Sequence, residues 1–146
     1  MDALFLIHTF FTFFLTGLIW FVQLVHYPLF RSIPIENWVE FEKEHVKKAT
    51  WITLPTMLVE LLTGIALTFM TFQYIVDDVY FNSMIINLLL IICIWLSTFL
   101  IQVPIHMALS REPSISKVNK LIQSNWIRTA IWTIRTFLLL SLWLIQ

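Results

Sequence analysis

Four long apolar runs alternate along the chain with three short connections. Ala3 to His26, Trp51 to Tyr74, Asn82 to Ile105 and Ser124 to Trp143 can each cross roughly 30 Å of hydrocarbon at about 1.5 Å per residue. Hydrocarbon holds no water to satisfy open backbone groups, so these runs are expected to be α-helices despite their many β-branched residues. Pro28 and Pro34 interrupt the pattern after the first run. The charged segment that follows, Glu36 to Thr50, sets Trp38, Phe41, His45 and Ala49 along one face. That spacing predicts an amphipathic helix at the interface, separate from the second span or continuous with it. The expected fold is all-α: a polytopic membrane protein of one domain, residues 1–146, forming a four-helix transmembrane bundle.

Each run carries its polar residues on one side. In the first, His8, Thr12, Thr16, Gln23 and His26 recur at helical steps, and in the second Thr53, Thr56, Glu60 and Thr63 do so, with Gly64 beside them. The third presents Asn87, Trp95, Thr98, Gln102 and His106, and the fourth Asn125, Arg128, Trp132 and Arg135. Four such stripes imply one shared polar interior.

Charge fixes the expected orientation. Nine Lys plus Arg balance nine Asp plus Glu, which argues against a nucleic-acid surface. Their positions carry the information: Arg31, Lys43, Lys47 and Lys48 lie in the first connection and Arg111, Lys117 and Lys120 in the third. The second, Ile75 to Phe81, holds only Asp77 and Asp78. Basic loops stay in the cytoplasm, so both termini are expected on the non-cytoplasmic side, in a setting that suits a bacterial inner membrane. Asp2 stands where a signal peptide would have a basic start, so the first run reads as a permanent helix.

With this topology Gln23, His26, Thr53, Gln102, His106, Asn125 and Arg128 gather toward the cytoplasmic half, while Glu60, Thr98 and Arg135 sit near the middle. A charge at that depth costs at least about 2.5–3.5 kcal/mol, so Glu60 and Arg135 are expected to pair. His26 and His106 close the inner ends of their spans, and His45 can approach from the intervening segment. Three neutral imidazoles suit a metal ion, and two suit haem iron. Glu42 and His45 have the spacing of half a di-iron motif, without a second copy. Trp20, Trp38, Trp51 and Trp126 fall where indoles anchor helices at the interface, whereas Trp95 and Trp132 lie on the polar faces at depth. The single cysteine, Cys93, has no disulfide partner in the chain, and two glycines cannot build a phosphate loop.

Tyr27-Pro28 ending the first span, Pro104-x-His106-x-x-Leu109 ending the third, and Asn125-Trp126-x-Arg128-Thr129 opening the fourth resemble the anthrone-oxygenase-like family of small four-helix membrane proteins. His106 stands where that family's signature has Asn. The resemblance implies oxidation of a polycyclic phenolic substrate by dioxygen, with or without a cofactor, and nominates His106, Trp126 and Arg128. A weaker, topological similarity to HemJ-type protoporphyrinogen oxidases keeps haem under consideration.

These readings converge on a redox or oxygenase-like enzyme acting on a hydrophobic aromatic molecule. His26, His106, Arg128, Glu60 and Arg135 are the expected catalytic groups, and His26, His106 and His45 the cofactor ligands if haem or a metal is used. Gln23, Trp95, Thr98, Gln102, Asn125 and Trp132 would line the pocket. The competing readings are a small transporter or channel subunit with Glu60 and Arg135 as coupling charges, and a non-catalytic accessory protein. The lipid bilayer is the partner implied throughout, and self-association into a homo-oligomer is left open.

Overall fold

The computed structural model describes residues 3–74 and 77–145. Asp2, and Ile75 and Val76 of the second connection, lie outside them. The described residues form four helices long and apolar enough to span a membrane: α1 (Ala3–Ser32), α2 (Trp38–Gln73, led in by a short turn Ile35–Asn37), α3 (Asp78–Leu109) and α4 (Ile115–Ile145). The chain is therefore an all-α, multi-pass membrane protein. Each helix packs against its neighbours in sequence, and α4 closes the square against α1.

Polarity is inverted relative to a water-soluble bundle. Phe10, Leu62, Phe69, Phe72, Leu100 and Phe137 point outward, where lipid tails solvate them as well as a core would. Inside are His8, Thr12, Gln23, Glu60, Asn87, Gln102, Asn125, Arg128 and Arg135, all buried. Three apolar clusters space these polar layers apart. Phe5, Leu67, Met84 and Leu139 seal the end near the termini, Leu15, Ile19, Met57 and Ile94 fill the middle, and Phe30, Trp38, Leu109 and Leu121 seal the end that carries the basic connections.

Two features differ from the sequence pattern. The segment expected as an interfacial helix has no break at its end, since α2 runs unbroken for 36 residues. Its inward stripe explains the continuity: Trp38, Glu42, Met57, Glu60, Gly64, Leu67 and Thr71 are all buried, at sums of the three- and four-residue helical steps. Trp38, expected as an interfacial anchor, is only 2% exposed and donates its indole N–H to the Leu109 carbonyl at 3.1 Å. Trp20, Trp51 and Trp126 are exposed, as anchors are.

The second difference concerns the prolines. Pro28 does not end α1, and Pro104 lies within α3. A proline ring clashes with the carbonyl four residues back, here those of Leu24 and Leu100. Both carbonyls sit in wide π-helical turns, Val22–His26 and Thr98–Gln102, which move them aside. The same device therefore occurs in α1 and α3, two residues before each proline, with Gln23 and Gln102 buried in the widened turns.

Candidate functional site

Two polar layers cross the bundle. The first, nearer the termini, is a brace between diagonal helices. Arg135 on α4 reaches Glu60 on α2 at 2.6 Å, and His8 on α1 meets Asn87 on α3 at 3.0 Å. Arg135 also donates to Asn87 Oδ1 and Thr12 Oγ1, and Trp132 donates to both Glu60 oxygens at 3.1 and 3.3 Å. Because His8 Nε2 faces the amide of Asn87 and the guanidinium of Arg135, it is the lone-pair nitrogen, and Nδ1–H donates to Thr63 Oγ1 at 2.8 Å. Gly64 permits this packing: a Cβ there would stand 2.6 Å from Ile91 Cδ1 and 3.2 Å from His8 Cε1. The expected Glu60–Arg135 pair exists, and every charge in it is satisfied internally. Neither residue reaches the cavity described next.

The second layer lies at the end bearing the basic connections, and it borders a cavity of about 220 Å³ between all four helices. Its walls are mainly apolar, with Tyr27, His45, Thr98, Gln102, His106 and Arg128 supplying polar atoms. Trp132 also lines it, so one indole touches both layers. Trp95, expected in the pocket, does not line it. It stands eight residues from Asn87, about 80° round the helix from the buried stripe, and packs against Phe99 with its indole nitrogen unpartnered. Gln23 and Asn125 are behind the wall, and His26 lies on the outer side of α1 and α2.

A continuous chain of hydrogen bonds runs along the cavity. Gln23 accepts from Asn125 at 2.8 Å, and Asn125 Oδ1 accepts from Arg128 Nε and Nη2. Arg128 then reaches the Tyr27 hydroxyl at 3.3 Å and Thr98 Oγ1 at 3.5 Å. Tyr27 meets His106 Nε2 at 3.1 Å, and His106 Nδ1 lies 2.5 Å from Glu42 Oε1. Since the guanidinium can only donate, Tyr27 accepts from Arg128 and donates to His106, which in turn donates to Glu42. Shifting one proton from Tyr27 to His106 leaves a phenolate beside Arg128 and an imidazolium beside a carboxylate. This is the logic of a base oriented by a third group.

Arg128 is unlike Arg135. Among the described residues its partners are all neutral, and no carboxylate pairs with it directly. Glu42, fully buried, balances it only through Tyr27 and His106, and the second Glu42 oxygen has no partner. The cavity wall thus presents a cation and a hydroxyl together.

The histidines are not arranged as ligands. His26 Nε2 bonds to His45 Nδ1 at 3.0 Å, both nitrogens of His106 are engaged, and among the described residues no three His, Cys, Asp or Glu side chains group to hold a metal ion. A metal ion held by His26, His45 and His106 together therefore does not fit this arrangement. His106 and Arg128, expected at one end of the bundle, are joined there by Tyr27 and Glu42, which were not among the expected site residues. The available signal was spacing, since Glu42 is four residues from Trp38 and three from His45 on the stripe that became buried. No protein family, curated protein or solved structure matches the chain.

Proposed function

We propose that the chain is a membrane-embedded enzyme that deprotonates a lipophilic phenolic ketone and presents the resulting enolate to dioxygen. The observation that carries this reading is the Glu42–His106–Tyr27 chain ending beside Arg128 on the wall of an apolar cavity. Tyr27 takes a proton from the benzylic methylene, which the substrate carbonyl acidifies through the aromatic ring, as it passes its own to His106, whose imidazolium Glu42 stabilises. Arg128 holds the oxyanion that develops. The enolate carbon then gives its electron pair to dioxygen, forming a C–O bond. The peroxide oxygen takes up a proton, and loss of water leaves a new carbonyl. One CH₂ and one O₂ become one C=O and one H₂O, so no further reductant is needed.

The resemblance of the Tyr27-Pro28, Pro104-x-His106 and Asn125-Trp126-x-Arg128 motifs to anthrone oxygenases supports the choice of substrate class, and the hydrogen bonds that occupy the histidines support a route without a three-histidine metal. In this reading the basic connections and the cavity face the cytoplasm of a bacterial inner membrane, with both termini outside. The Glu60–Arg135 layer holds the bundle together and takes no part in proton transfer, which disfavours the transporter alternative.

The test is dioxygen uptake by the purified chain in lipid nanodiscs with anthrone as substrate. Uptake of one O₂ per anthrone, lost in Arg128→Gln, is expected. No uptake above the rate of protein-free nanodiscs would reject the proposal.

A further inference from the structure

The cavity is not the only hollow at this end. A second, of about 360 Å³, opens on the outer side of α1 and α2. Leu18, Val22, His45, Ala49 and Thr53 line both, so one layer of side chains separates them, and two of its members, Ala49 and Thr53, are small. The rest of the groove is Phe21, Phe41 and Ile52, with His26, Glu44 and Lys48 as its polar members. Phe21 and Ile52 are more than half exposed, on helices long and apolar enough to span a membrane. The His26–His45 hydrogen bond ties α1 to α2 beside it.

We infer that this groove takes the hydrocarbon chain of a membrane amphiphile whose phenolic or otherwise acidic head occupies the cavity on Arg128. The inference rests on reading the cavity as the substrate site, and it favours, over chain-free ketones such as anthrone, molecules drawn from the adjoining leaflet with a long chain attached. Three observations meet here. The groove borders the cavity across one shared layer of side chains that includes the small Ala49 and Thr53. Its surface is apolar and open toward lipid, so a chain reaches it without crossing water. The charge is complementary: Arg128 has only neutral direct partners and favours an anionic head, whereas Lys48 in the groove is already neutralised by Glu44 at 2.8 Å. A headgroup therefore gains more inside than at the rim.

Long chains partition into any bilayer, so raw affinity is uninformative, and the ratio between variants is the quantity to read. Equilibrium binding of para-dodecylphenol and para-ethylphenol would be measured with the full chain in nanodiscs. Ile52→Trp fills the groove from a half-exposed position that does not line the cavity. It should weaken dodecylphenol about tenfold, equivalent to about 1.4 kcal/mol, and leave ethylphenol unchanged. Leu62→Trp, which adds the same bulk on a lipid-facing position of α2, should change neither. If Ile52→Trp affects both phenols equally, or neither, the groove is not the chain site and the inference falls while the cavity reading stands. If neither phenol binds the unmodified protein, both fall together.

Discussion

His106 Nδ1 lies 2.5 Å from Glu42 Oε1, although 64 residues separate them in the chain. This contact fixes the imidazole in the tautomer that leaves Nε2 free to accept from Tyr27. Glu42→Ala should therefore release the ring into a mixture of tautomers without unfolding the bundle. Nitrogen NMR of the His106 imidazole is the check: a single Nδ1-protonated form is expected in the unmodified protein, and a mixture in the variant.

The Glu60–Arg135 pair is fully buried, so removing one partner strands the other charge. Glu60→Gln or Arg135→Gln alone should destabilise the bundle by about 3–5 kcal/mol. The double variant should lose less than the sum, because it strands no charge. Reversible unfolding in mixed micelles measures both.

The two glycines differ in surroundings. Gly64→Val should cost about 1–3 kcal/mol by driving Ile91 and His8 apart, whereas Gly17, which has nothing within 4 Å of a built Cβ, should accept Ala without loss. Thermal unfolding of the two variants, compared side by side, tests the difference.

Pro104 is the reason for the wide turn before it. In Pro104→Ala the turn can tighten to a regular helix, which shifts the following register by one residue, about 100°. His106 should then lose Tyr27, while helix content is retained. Circular dichroism reports the helix content, and the His106 nitrogen spectrum reports the contact.

Much of this architecture was legible in the sequence because lipid imposes simple rules. Apolar length gave the four spans, and the cost of a mid-membrane charge paired Glu60 with Arg135 before any geometry was known. His106 and Arg128 were legible by depth. What escaped were features that depend on local departures from a regular helix. The turns at Val22–His26 and Thr98–Gln102 let α1 and α3 continue through their prolines, carrying Tyr27 and His106 into contact. Glu42 was hidden differently. It sits in a segment whose charges read as solvated, and only the unbroken course of α2 turns its face inward. Trp95 shows the converse error, since a polar-face residue assigned by approximate spacing fell about 80° off the stripe.

The most direct test of the proton relay is a double-mutant cycle over Tyr27 and Glu42, read in anthrone-dependent dioxygen uptake. If the two act as one unit through His106, Tyr27→Phe and Glu42→Gln should each lower the rate by roughly 10²- to 10⁴-fold, and the double variant should lose little more than Tyr27→Phe alone. Losses that multiply, or a Tyr27→Phe variant as fast as the unmodified protein, would contradict the relay.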